Sequence, residues 1–259
     1  MVNSYSIEDF LSSEQLNQGV TLGDLIEEDD RDRRELVEAS LDSKGREVFQ
    51  DIKSLYLTLL MVNKNYAELT EARDWFLEQD VEVFNWDNQD QAQDFMKEYA
   101  RLLHNYAASV HTLISHTYTF LGRYENQHPE LKETYFQKLR NRGLTVRGDL
   151  VKGLRHYTQK YWQAPIGLSL SAGRDQSTER AITIDVEALL EWDEWKREVK
   201  DYLESLDKRE NITNIVEDYQ EDINDFYDWL RMLVLKEFYD EILDMIVAQA
   251  RLEQQRENL

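Results

Sequence analysis

No cysteine occurs in the 259 residues, so disulfide frameworks, thiolate metal sites and thiol nucleophiles are excluded at once. Proline contributes two residues and glycine nine, and this scarcity of breakers favours long uninterrupted helices over a turn-rich β architecture. Basic residues are in deficit: 30 Lys and Arg against 52 Asp and Glu leave a formal net charge of −22. That sign argues against a protein built wholly around nucleic acid, whose footprint is basic, and against an anionic membrane surface. Long hydrophobic runs are missing as well. The longest mainly apolar stretch, Leu55 to Val62, falls far short of the ~20 residues that span a bilayer, and Met1 to Glu8 lacks the basic and apolar blocks of a secretion signal. The expectation is a cytoplasmic chain without membrane association. What the chain does have is 41% hydrophobic and 11% aromatic residues, enough to fill a core despite the charge.

Periodicity locates the elements. Residues 1–42 are the least organised: a short amphipathic stretch at Ile7, Phe10 and Leu11 precedes a mixed-charge run from Asp24 to Glu38, read as a solvated acidic arm or short helices. From about residue 43 the pattern is a helical bundle. Val48, Ile52, Leu55, Leu59, Val62, Tyr66 and Leu69 follow spacings of 4 and 3, which place one apolar stripe on a single helix face. Phe95, Tyr99, Leu102, Tyr106, Val110, Leu113, Thr117 and Phe120 predict a second long helix, capped by Asp87 or Asn88 and ended before Pro129. Shorter helices follow over about 131–147, broken near Gly143, and 150–162. Past Pro165 the period changes to two, and the alternation over 166–171 and 181–184 predicts a β-hairpin at about 166–184. Asp185 then reads as the N-cap of a helix running to Leu206, and one very long helix is expected from about Thr213 to Arg256. The predicted class is all-α: an up-and-down bundle with a small hairpin inserted before the last two long helices.

Most chemistry-bearing motifs are absent. Gly143, Gly148 and Gly153 are too widely spaced for a phosphate loop, and no G-x-S-x-G elbow occurs. Among the histidines, His104 and His111 share a helix face, His111 and His116 diverge, and Glu125-x-x-His128 lacks the second copy that a di-iron site needs. No metal and no cofactor is expected. Charge is more telling. Lys132, Lys138, Arg140, Arg142, Arg147, Lys152, Arg155 and Lys160 stand against only Glu133 and Asp149 between 131 and 160, a net of +6 that leaves −28 for the rest. Tyr135, Phe136, Tyr157, Tyr161 and Trp162 interleave with these cations. Arg140, Arg142, Arg147, Lys152, Arg155 and Lys160 with Tyr157 are thus the candidate nucleic-acid or anion site, since exposed charge is screened beyond roughly 8 Å and a local basic patch can act on an acidic protein. The competing reading packs these aromatics in the core and pairs the cations with the acidic C-terminal helices.

The stretch Leu154-Arg155-His156-Tyr157-Thr158-Gln159-Lys160-Tyr161-Trp162-Gln163-Ala164-Pro165-Ile166 resembles the Arg-polar-Tyr-x-x-His and Leu-Pro segment of HEPN-like proteins, the higher eukaryotes and prokaryotes nucleotide-binding superfamily. Arg101-Leu102-Leu103-His104-Asn105-Tyr106 upstream, with Leu189 to Trp195 and Phe226 to Leu230 downstream, extends the likeness to uncharacterised prokaryotic members over about residues 50–235. The resemblance implies an all-α bundle, commonly a homodimer, and in active relatives a metal-independent RNA-cleaving cleft built from an Arg, a polar residue and a His. Arg155 and His156 match the Arg and the polar position, Lys160 stands where the shortest spacing puts the His, and no histidine follows His156. Lysine cannot share the acid/base role of imidazole near neutrality. Arg123-x4-His128 fits the bare spacing but lies at a helix end and lacks the polar residue after Arg. The leading expectation is a degenerate HEPN-like protein that binds RNA or a protein partner, in prokaryotic defence or toxin–antitoxin biology. The alternatives are a metal-independent ribonuclease centred on Arg155 with His156 or Lys160, and a structural dimer with no nucleic-acid role.

Overall fold

The computed structural model describes residues 22–79, 89–161, 164–172 and 178–258. The expected features at Ile7 to Leu11, at Asp87 and Asn88 and at Trp162 lie outside those residues. The architecture is an all-α bundle with a small antiparallel sheet. Its elements are α1 (Leu22–Glu28), α2 (Arg33–Leu41), α3 (Lys44–Glu78), α4 (Gln89–Tyr124), α5 (Pro129–Asn141), α6 (Leu144–Tyr161), β1 (Ile166–Ala172), β2 (Thr178–Asp185), α7 (Val186–Leu190), α8 (Arg197–Glu204), β3 (Arg209–Asn211), α9 (Ile212–Glu237) and α10 (Tyr239–Glu257). The described residues divide into two compact units, one of residues 22–54 and 229–258, the other drawn from residues 55–228.

In the first unit the mixed-charge run folds as α1 and α2. Asp32 caps α2: its carboxylate accepts from the Arg34 and Glu35 amides at 2.7 and 3.0 Å, while the Glu35 carboxylate accepts from the Asp32 amide at 3.0 Å. This reciprocal box satisfies amides that a helix start leaves without partners. Helix α2 packs on α10 around Leu36, Ile242, Met245 and Ile246, all buried. Arg31, two residues before α2, pairs with Asp244 of α10 and with its neighbour Asp29, each at 2.7 Å. The single helix expected over 213–256 is instead kinked at Phe238, where φ is −113° and ψ 27°. The apolar stripe changes register there, from Leu230 and Leu233 to Val234, Phe238 and Ile242, and the bend keeps Phe238 fully buried.

In the second unit α4 buries the stripe that its sequence shows, from Phe95 through Tyr106 and Leu113 to Tyr124. Tyr99, Tyr106, Tyr135, Tyr219 and Tyr227 are all buried, and burial pushes each hydroxyl above the ordinary phenol range. Gly143, at φ 66°, takes the left-handed conformation that lets the chain turn from α5 into α6. The hairpin forms with Ile166 opposite Ile184 and Ala172 opposite Thr178. Sequence reading missed β3, which adds a third antiparallel strand by pairing Thr183 with Asn211 and Asp185 with Arg209. Asp185 does cap a helix, accepting from the Ala188 amide at 3.0 Å, but that helix stops at Leu190 rather than Leu206. Past that point the Leu189 carbonyl accepts from the Trp192 amide at 3.2 Å, an i to i+3 turn, and from the indole of Trp195 at 2.6 Å. Among the described residues no helix is long and apolar enough to cross a membrane.

Candidate anion-binding site

The candidate cations lie on α5, on α6 and, for Arg142, in the turn between them, all within the second unit. Helix α6 turns Val151, Leu154 and Tyr157 inward, while Lys152, Arg155 and His156 stand half-buried on the other side. The acidic remainder of the chain neutralises much of the window. Arg147 pairs with Asp222 at 2.6 Å and Arg142 with Asp225 at 3.6 Å, both carboxylates projecting from α9 one turn apart. Lys132 pairs with Glu125 at 2.7 Å, Lys160 pairs with Glu194, and Lys152 lies 3.8 Å from Asp149, which also holds Lys196 at 2.7 Å. Two side chains are left over. Arg140 and Arg155 make no ion pair or side-chain hydrogen bond among the described residues.

Around Arg155 the structure gathers histidines that the sequence keeps far apart. His111 of α4 meets His156 of α6 with ring centroids 5.8 Å apart and planes at 75°. His104, on the same face of α4, places Nδ1 2.7 Å from the Thr158 hydroxyl. The same hydroxyl lies 2.9 Å from the Arg155 carbonyl, to which it can donate, so it links His104 to the backbone of α6. Burial first, then the positive charges of Arg155, Lys152 and His156, hold the His111 pKa below its usual value. Nδ1 of His111 has no hydrogen-bond partner among the described residues. Arg155, Lys152, His111 and His156 form a donor set suited to an anion, with the Asp149 carboxylate 3.8 Å from Lys152.

Tyr157, grouped with the cations by sequence, is buried instead. Its ring stands edge-on to Trp192 with centroids 6.3 Å apart, and its hydroxyl donates to the Ala188 carbonyl at 3.4 Å, so it offers no face for stacking a base. His128 precedes α5 and lies 3.5 Å from Glu130. Sequence reasoning did not connect His111 to Arg155; the one signal was the seven-residue spacing that puts His104 and His111 on a common face. Comparison with protein-family models, curated proteins and solved structures returns no match for this chain.

The His111 environment has a measurable consequence. A histidine whose folded pKa is depressed binds fewer protons folded than unfolded above that pKa, so its contribution is fully present above about pH 6.5 and is lost as pH falls through the folded value. The wild-type melting temperature should therefore drop further between pH 7.5 and 5.5 than that of His111→Gln. Parallel melting curves followed by circular dichroism across that range check this, and identical pH dependences would contradict it.

Proposed function

We propose that this chain is a HEPN-like helical protein that binds single-stranded RNA through the α4–α6 face around Arg155, as a homodimer in the prokaryotic defence or toxin–antitoxin setting that the resemblance implies. The supporting observation is the Arg155 guanidinium, which has no carboxylate partner among the described residues while Arg142, Arg147 and Lys160 all do. An unpaired arginine beside Lys152 and two imidazoles presents the fixed donors that phosphate oxygens take up. Lys160 and Tyr157 are not part of this reading, because one is engaged by Glu194 and the other is buried.

Fluorescence anisotropy with a labelled single-stranded RNA, between 50 and 200 mM salt, tests it. Binding should weaken steeply with salt, and Arg155→Ala should weaken it roughly threefold and reduce the logarithmic salt slope by about 0.7, the value for one lost phosphate contact on a single strand. Equal affinity and slope for the two proteins would rule out this face.

The His111–His156 pair favours a second reading, metal-independent RNA cleavage. Neutral His111 would accept the proton of the attacking 2′-hydroxyl, His156 would return one to the departing 5′ oxygen, and Arg155 would hold the charge that builds on phosphorus. Cleavage of the same RNA in the presence of a chelator, lost in His111→Gln, would favour this reading over simple binding.

A further inference from the structure

A cavity of about 280 Å³ opens among α4, α5, α6 and α9, wholly within the second unit. Its volume sits near the ~300 Å³ lower bound of small-molecule sites, which suits one aromatic ring better than a fused pair. The walls are aromatic. Tyr118, 44% exposed, leans on Phe136 with centroids 5.9 Å apart and planes at 37°, and Phe226 lines the cavity further in. Gly148 keeps the inner end open, where a Cβ would stand 3.3 Å from the Tyr219 hydroxyl.

Two polar features of this cavity have no use in the fold. The hydroxyls of Thr117, Tyr227 and Tyr135 satisfy one another, Thr117 and Tyr227 at 2.7 Å. The Tyr219 side chain, 2% exposed and lining the cavity, makes no hydrogen bond among the described residues. Buried hydroxyls are ordinarily paired, so one that opens into a cavity is a vacant contact for a ligand atom. At the mouth, Arg140 is exposed and unpaired, and Lys152 and Lys196 share the single carboxylate of Asp149, which leaves the rim positive.

We propose that this cavity binds a single-ring aromatic anion, its ring against Tyr118 and Phe136, a ring acceptor on the Tyr219 hydroxyl and its anionic group on Arg140. A pyrimidine 5′-monophosphate and a free aryl carboxylate share that chemistry. The site goes beyond strand binding and does not depend on Arg155.

Isothermal titration calorimetry of the full chain with uridine 5′-monophosphate, uridine and 4-hydroxybenzoate tests the proposal, with melting curves to confirm that each variant is folded. At least one charged probe should bind. Arg140→Gln should weaken it about tenfold, the loss expected for one charged hydrogen bond, and Tyr219→Phe should weaken it about fivefold. Arg197→Gln, a charge change at a side chain 90% exposed on α8, should bind as wild type does. Tighter binding of the nucleotide than of 4-hydroxybenzoate assigns the nucleotide as the source, and the reverse order assigns an aryl acid. The proposal is overturned if neither charged probe binds, or if Arg140→Gln and Tyr219→Phe bind as wild type does. Strand binding is measured on the same samples: a protein that binds RNA but neither charged probe refutes the cavity alone, and one that binds a charged probe but no RNA refutes the strand reading alone.

Discussion

Replacing Gly153 by alanine should lower the melting temperature by several degrees, although the same change in an exposed helix raises stability by about 1 kcal/mol. Gly153 lies buried within α6, and a Cβ built on it overlaps Cζ3 of Trp195 and stands 2.9 Å from both Cε3 and Cη2. The indole cannot swing aside without breaking its hydrogen bond to the Leu189 carbonyl at 2.6 Å and its edge-on contact with Trp192 at 4.5 Å. Overpacking of this kind costs about 1–3 kcal/mol, and in a chain of this size each kcal/mol moves the midpoint by roughly 2–4 °C. Trp195→Ala alone should cost more, about 3–5 kcal/mol, because it deletes a buried ring. The double variant should be no worse than Trp195→Ala, since the obstructing ring is gone and alanine regains its helix advantage. Urea titration of the three variants measures the coupling, and strict additivity would show that the notch at Gly153 does not seat the ring.

Freeing the cations that α9 holds should have the opposite effect on RNA. Asp222 and Asp225 occupy Arg147 and Arg142, so Asp222→Asn combined with Asp225→Asn removes two negative charges and leaves two guanidinium groups on the α5–α6 side without these carboxylates, Arg147 keeping its long contacts to the Asp218 and Arg142 carbonyls. Single-strand affinity at 50 mM salt should rise about tenfold, with a salt slope steeper by about 1.4 if each released arginine gains a phosphate. Stability should change little, because partly exposed pairs contribute about 0–1 kcal/mol each. Anisotropy titrations at several salt concentrations read both numbers. Unchanged affinity would mean that α9 does not compete with the strand and that these pairs serve the fold alone.

The long helices were legible because their stabilisation comes from one repeated spacing: the stripe from Phe95 to Phe120 on α4 is both the sequence signal and the buried face. Asp185 and Gly143 were legible for a similar reason, since capping and left-handed turns are local chemistry. The break at Trp192 to Trp195 was not, because the turn there brings the Trp192 amide and the Trp195 indole to one carbonyl, and apolar spacing carries no trace of that arrangement. Strand β3 escaped notice because three residues are too few to show alternation. Around Arg155, charge counting picked out the arginine and the resemblance picked out His156, but neither could find His111, which reaches His156 from another helix. Nor could it separate Arg155 from Arg142 and Arg147. The acidic excess over 185–244, 20 carboxylates against seven bases, was plain in the sequence, yet which cation each carboxylate meets depends on how α9 lies against α5 and α6.

The buried tyrosines set an alkaline limit on the fold. Each phenol of Tyr99, Tyr106, Tyr135, Tyr219 and Tyr227 keeps its proton more firmly in the folded chain than in the unfolded one, because a phenolate cannot be hydrated where these rings lie. Their contribution is fully present below about pH 10 and is withdrawn as pH climbs past it, since only the unfolded chain can then release those protons. Base therefore acts on this protein as a denaturant, and the protons appear in solution together with the opened chain rather than ahead of it.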